Sequence, residues 1–196
     1  MEIFGQTVTW IEFYGTVFGI AGVVLTILKN SWCFPTGLAN VGLYAILFFQ
    51  SKLYADALLQ VVYILLLIYG WMEWEKRSAQ KEFIATRISK RLWILLAFIS
   101  AGLTMVIGTV FMKYTDASLP FLDSLLASMS LLAQWMIAKK KIENWLVWIA
   151  VDVAYVGMYI FKHLYLTGFL YFIFIILAIA GYREWKKKLV VNEQPG

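Results

Sequence analysis

The sequence predicts an all-α integral membrane protein with seven transmembrane helices. Three observations carry that prediction. Hydrophobic residues make up 62% of the chain and charged residues only 15%, with a mean hydropathy of +0.74, whereas soluble domains carry about a quarter charged residues. Seven apolar stretches are long enough to cross ~30 Å of hydrocarbon at about 1.5 Å per residue. The chain also resembles itself at an offset of 111 residues.

The stretches lie at roughly 10–28, 34–50, 54–74, 92–112, 120–138, 142–161 and 165–185. In the first, Gly15, Gly19 and Gly22 form a close-packing seam, as small residues do between membrane helices. Glu12 stands near its outer end, either as a solvated helix-end acid or as part of a negative mouth. Pro35 opens the second and shortest span, a good first-turn residue, and Asn40 and Tyr44 share a face within it. The third span brings Asp56, Gln60 and Tyr63 onto one face at i, i+4 and i+7. Gln60 offers both a donor and an acceptor inside the apolar zone, for a ligand or for a neighbouring helix.

A charged, partly helical linker is expected over 75–91, EKRSAQKEFIATRISKR, before the fourth span. Pro120 opens the fifth, which carries Asp123, Ser124, Ser128, Ser130 and Gln134. The serines suit close packing, and Gln134 suits either packing or a ligand.

The sixth span, KIENWLVWIAVDVAYVGMYIFK from Lys141 to Lys162, holds one carboxylate near its centre. Trp145, Trp148, Asp152, Tyr155 and Tyr159 follow one helical face. An acid at bilayer mid-depth costs about 2.5–3.5 kcal/mol on insertion scales, and such residues usually face a pathway. Otherwise Asp152 locks helix packing through Tyr or Trp partners. Trp145 lies near the end of the span, where interfacial Trp is common. Trp148, one turn from Asp152, suits stacking against a flat cationic or electron-poor ring.

Loop charges set an orientation. The loops after the first, third and fifth spans, with the C-terminal tail, hold 14 of the 17 basic residues, leaving Lys52, Lys113 and Lys162 on the other side. The positive-inside rule then places the N-terminus outside and the C-terminus in the cytoplasm. The offset of 111 residues pairs Lys29 with Lys140, Tyr44 with Tyr155, Leu53-Tyr54 with Leu164-Tyr165 and Leu59 with Leu170. It also pairs Gly70 with Gly181 and Glu73-Trp74 with Glu184-Trp185. Three spans, a linking span and three more form a parallel repeat about an axis along the membrane normal. The units are a first three-helix repeat over 1–74, a basic linker with its linking helix over 75–118, and a second repeat with a basic tail over 119–196. Asp152 falls opposite Val41, so the acid belongs to one half only.

Several classes find no support. The N-terminal MEIFGQTVTW lacks the basic region and cleavage signal of a removable signal peptide. A single Cys33 and a single His163 offer neither a disulfide framework nor a metal-ligand cluster. No cofactor is expected, and the net charge of +5 reports orientation rather than nucleic-acid binding. No G-x-S-x-G, H-E-x-x-H or Walker A pattern is present, so the chain reads as a non-enzyme. A membrane scaffold subunit is the alternative outside transport.

With N-x-W-C-F-P-x-G-L-x-N at 30–40, L-Y-A-D-x-L-L-Q-x-x-Y at 53–63, Y-G-W-x-x-W at 69–74, K-x-E-N-W-L-x-W-x-x-x-D at 141–152 and G-Y-R-E-W at 181–185, the chain closely resembles the PnuC family of bacterial vitamin transporters. The resemblance covers nearly the whole chain. It implies a SWEET-like arrangement of three, one and three helices, a homotrimer in the bacterial inner membrane, and facilitated diffusion of nicotinamide riboside. It also implies a cytoplasmic kinase that traps the product, and a site lined by Trp145, Trp148, Gln60 and Tyr63. Residues alone add Asn40, Tyr44, Gln134, Asp152 and Tyr155. The Asp152 position is often asparagine in the family. A carboxylate favours a cation, which suits the pyridinium of nicotinamide riboside and the thiazolium of thiamine, carried by the related PnuT branch, over neutral riboflavin.

Overall fold

The computed structural model describes residues 2–3, 6–7, 9–50, 54–78, 83–114, 119–161 and 165–189. Seven helices are found among them: α1 (Trp10–Ile27), α2 (Cys33–Gln50), α3 (Tyr54–Ser78), α4 (Lys90–Tyr114), α5 (Pro120–Ala138), α6 (Asn144–Phe161) and α7 (Tyr165–Lys186). All seven are long and apolar enough to cross a membrane. Two short strands, β1 (Glu2–Ile3) and β2 (Gln6–Thr7), pair antiparallel before α1. Lys52, Lys81, Lys162, His163 and the Leu53–Leu164 pairing of the sequence reading lie outside the described residues.

Local chemistry sets the helix ends. Thr9 caps α1: its hydroxyl accepts from the Glu12 amide at 3.2 Å, while the Glu12 carboxylate accepts from the Thr9 amide at 2.7 Å. This reciprocal capping box satisfies two amides that have no helical partner, and it gives Glu12 a structural task. α3 runs one turn beyond its expected end at 74 because Glu75, Lys76, Arg77 and Ser78 carry no helix breaker. α2 begins at Cys33, which places Pro35 third in the helix, where its missing amide still breaks no helical bond. Among the described linker residues, 75–78 and 90–91 are helical, and 83–89 is non-helical with bridges at Ala85 and Thr86.

Six helices close a ring through the neighbour contacts α1–α2, α2–α3, α3–α5, α5–α6, α6–α7 and α7–α1. Among the described residues α4 stands outside the ring and packs on α5 alone. It seats there at Gly108, where an added Cβ would meet the Phe121 ring at 2.5 Å. The glycine seam of α1 is real and receives α2. Gly15 lies under the Tyr44 ring, Gly19 under the Asn40 amide and Gly22 against Thr36.

The 111-residue offset reappears as geometry. α1 ends with Lys29 donating to the Thr26 carbonyl (3.1 Å) and Asn30 to Leu25 (2.9 Å). α5 ends with Lys140 donating to Ile137 (2.9 Å) and Lys141 to Met136 (2.8 Å). Both are Schellman motifs, with Lys29 at φ 60° and Lys140 at φ 55° in the left-handed position that glycine usually fills. Phe34 sits edge-on to Trp74 (5.1 Å, 88°) as Trp145 does to Trp185 (5.4 Å, 88°).

Two of the recurring bonds run between helices α1–α3 and the α5–α7 region. The Trp74 indole N–H donates to the Ile137 carbonyl (3.1 Å), and the Trp185 indole N–H donates to Thr26 (3.0 Å). Ion pairs flank them, Glu73 with Lys139 at 2.9 Å and Glu184 with Lys29 at 3.6 Å. The Glu73 carboxylate and, next, the Tyr69 hydroxyl push the Lys139 ammonium above the usual lysine range. A raised folded-state pKa means that this contribution is full below the ordinary lysine pKa and is lost only as pH rises through the raised value. The pair is therefore intact at neutral pH.

The two left-handed lysines should answer differently to glycine. Lys29→Gly is expected to stabilise by about 1 kcal/mol, since a non-glycine residue there costs about that much and the partly exposed Glu184 pair contributes little. Lys140→Gly should be neutral or destabilising. Lys140 is buried, with its ammonium 5.3 Å from the Trp74 ring and 5.0 Å from Phe83, contacts that offset the backbone gain. Thermal unfolding in detergent checks both.

Candidate functional site

α6 carries the site because its inward stripe runs from packing residues to polar ones. At the basic end of the bundle, Asn144 and Trp145 are buried. Trp145, 2% exposed, lies flat over Gly181 and edge-on to Trp185. Its indole N–H and the neighbouring Asn144 Oδ1 are buried without a hydrogen-bond partner among the described residues. Trp148 is half-buried and touches both the aromatic cluster at this end and the core between α5 and α6.

Asp152 follows, 4% exposed. Its carboxylate makes no hydrogen bond to another described residue, so the packing lock through Tyr or Trp partners is not made in this structure. A buried ionised group without such bonds is costly, and here its surroundings are aromatic. Tyr155 stacks on Tyr159 (5.8 Å, 20°), and Tyr171 of α7 lies 4.8 Å from Tyr155 and 5.2 Å from Tyr159. Asp152 lies within electrostatic reach of both Tyr155 and Tyr171.

Other helices complete the enclosure. Tyr63 of α3 comes within electrostatic reach of Tyr155. Asp123 reaches Tyr155 and Tyr159, and Asp56 and Tyr44 reach Tyr159. Asp56 and Asp123 also repel each other across the α3–α5 contact. The opposite end of the bundle is thus acidic and tyrosine-rich.

The nine predicted site residues divide accordingly. Asp152, Tyr155 and Tyr63 come together, with Trp148 one turn from the acid. Gln60 occupies the inward stripe Asp56-Gln60-Tyr63-Leu67-Gly70-Trp74 of α3, and Gln134 is half-buried on α5. Neither glutamine side chain bonds another described residue. Asn40 and Tyr44 are engaged with α1: the Asn40 Nδ2 donates to Gly15 O at 2.7 Å, and the Tyr44 hydroxyl is 3.3 Å from Thr16 Oγ1. Trp145 belongs to the aromatic cluster at the basic end. Tyr171 is missing from the sequence reading, yet it stands 111 residues after Gln60, just as Tyr155 stands after Tyr44. Two open apolar grooves of about 680 Å³ lie elsewhere, one between α2 and α3 at Ile46 and Val61, the other at Trp32 and Trp71.

Seven apolar helices, six of them ringed around a buried acid and a tyrosine wall, define a multi-pass membrane protein. Residues 9–187 match the family described as nicotinamide mononucleotide transporter, and the chain belongs to that family. It is 31% identical to the nicotinamide riboside transporter PnuC of Escherichia coli strain K12, over 92% of this chain and 87% of that one. It is 26% identical to the protein of the same description from Neisseria mucosa, over 91% and 73% of the two chains. The riboflavin/roseoflavin transporter RibM of Streptomyces davaonensis is 23% identical over 93% and 87%. The crystal structure of the vitamin B3 transporter PnuC superposes with a TM-score of 0.72 at 26% identity, covering 91% of this chain and 81% of that chain. Each of these relatives is described as a transporter.

Proposed function

We propose that this protein carries nicotinamide riboside across the bacterial inner membrane by facilitated diffusion, with cytoplasmic phosphorylation by a kinase trapping the product. Asp152 carries the reading. A buried carboxylate with no hydrogen bond from another described residue, set beside stacked tyrosines, attracts a flat cation through charge and ring quadrupole together. The pyridinium of the riboside fits. A mononucleotide brings a phosphate, which the acids Asp152, Asp123 and Asp56 repel, and neutral riboflavin gains nothing from the carboxylate.

In this reading the ring lies against Trp148 and the Tyr155 wall, with Trp145 joining when it leaves Gly181. Gln60, Tyr63, Tyr44 and Gln134 bond the amide or ribose, as does the Asn40 carbonyl. The two three-helix groups form a SWEET-like parallel repeat flanking the linking helix α4, with the N-terminus outside and the C-terminus in the cytoplasm. The identical helix ends at Lys29 and Lys140 and the reciprocal Trp74 and Trp185 bonds support the repeat, and the loop charges support the orientation. Rocking of one group against the other gives alternating access. As in the family, the working form is a homotrimer.

Purified protein in liposomes should take up labelled nicotinamide riboside saturably, until inside and outside concentrations match. Excess thiamine should leave that uptake in place. Uptake no better than that of empty liposomes ends the proposal, and abolition by thiamine but not by unlabelled riboside transfers it to thiamine.

A further inference from the structure

The linker before α4 does more than connect. Its non-helical stretch is hydrogen-bonded across the basic end: Ala85 N–H donates to Lys188 O (3.1 Å), Thr86 N–H to Lys140 O (3.0 Å), and Ile142 N–H returns to Thr86 O (3.0 Å). Ile88 N–H donates to Glu143 Oε2 (3.1 Å) and Lys141 Nζ to Arg87 O (3.2 Å). Ala85 and Ile88 are buried, and Ile88 joins the core of α5 and α6. Every one of these bonds ties the linker to the α5–α7 group, which becomes one strapped body at this end.

Phe83 is where the linker meets the other group. Its ring is edge-on to Trp185 of α7 at 4.8 Å and to Trp74 of α3 at 5.3 Å, with the Lys140 ammonium 5.0 Å from its centroid. Trp74 and Trp185 are the residues whose indoles bond across the seam. Phe83 therefore packs against both seam-closing tryptophans, on a stretch whose hydrogen bonds among the described residues run to the α5–α7 group.

We propose that Phe83 is a gate residue, a plug on the α5–α7 group that closes the cytoplasmic seam and leaves the Trp74–Trp185 cleft when that side opens. This rests on the transport reading above and gives the linker a part in it. Opening separates Trp74 from Ile137 and Trp185 from Thr26, while the bonds at 85–88 hold and carry Phe83 away with its own group. An aromatic plug whose contacts exist only in the closed state biases the equilibrium toward closure by its differential interaction.

The test needs no substrate. Ala138 is buried at the seam, and a Cβ on Gly70 would lie 3.2 Å from its Cβ. In a Cys33→Ser background, Ala138→Cys reports opening through its rate of labelling by a hydrophilic maleimide applied to the purified protein in detergent. Phe83→Ala should raise that rate about tenfold, the loss of roughly one aromatic pair, and Phe83→Trp should keep it at the parent value. An unchanged rate in a Phe83→Ala protein that retains its helicity and elution volume overturns the gate, as does an equal rise in Phe83→Trp. Should nicotinamide riboside uptake fail while labelling responds as expected, the substrate assignment falls and the gate stands.

Discussion

Asp152→Asn is expected to lower affinity for nicotinamide riboside about 10- to 100-fold while leaving the protein at least as stable as its parent. Unit charges about 4 Å apart attract by roughly 4 kcal/mol at an effective dielectric of ~20. Desolvating the pyridinium takes back part of this, leaving about 1.4–2.7 kcal/mol, which is the stated fold-change. Stability moves the other way because the carboxylate is 4% exposed and bonds no other described residue. The amide keeps its shape and removes the charge, so the burial cost falls. Titration calorimetry and thermal unfolding on the same two proteins read both effects. The reduced, neutral form of the riboside is the control, since its affinity should be unchanged by the substitution. Equal affinity of both proteins for the cation would mean that the acid does not face the ring. A loss of stability alone would favour the scaffold reading.

The seven helices are legible in the sequence because bilayer thickness demands long apolar runs. The 111-residue offset sets Lys29 against Lys140, which share a left-handed backbone, and Gly70 against Gly181, each lying against an aromatic ring. It does not reveal partners. Trp74 bonds Ile137 rather than a carbonyl of its own group, and only the closed ring of helices brings those atoms together. Helical periodicity likewise puts Trp145 and Asp152 on one face but does not show that the face is divided by depth, so that Trp145 falls into the aromatic cluster. Tyr171 was hidden for a different reason. α7 reads Leu170-Tyr171-Phe172-Ile173-Phe174, where nothing separates a site aromatic from lipid-facing ones. Its offset from Gln60 was the one available signal, and that signal asks for equivalence of position between two chemically different side chains. The linker stretch escaped as well. Its bonds are long-range pairings with Lys140, Ile142 and Lys188, and its composition shows only a charged loop.

Gly181→Ala should destabilise the protein by about 1–3 kcal/mol, the range for forcing extra volume into a packed interior. The added Cβ would lie 2.6 Å from Cε2, Cη2 and Cζ2 of Trp145, so the ring must give up its packed position. It is buried, with Trp185 edge-on to it. Gly70→Ala meets the equivalent obstacle, the Phe34 ring at 2.5 Å and the Ala138 Cβ at 3.2 Å, and should cost a similar amount. Shrinking the obstacle separates packing from binding. Trp145→Leu added to Gly181→Ala should recover most of the lost thermal stability, because the two changes act on one contact and couple strongly. Simple addition of the two losses would show that the methyl meets something other than this ring. Uptake by the double variant then decides what else Trp145 does. If the indole only packs the seam, uptake returns with stability. If it also stacks on the pyridinium once it leaves Gly181, stability returns and uptake of nicotinamide riboside does not. The second outcome is expected: among the described residues the indole N–H is buried without a partner at this end of the bundle. A buried donor left unsatisfied costs about 1–3 kcal/mol, and a ring that leaves Gly181 offers that N–H to a ribose hydroxyl of the substrate.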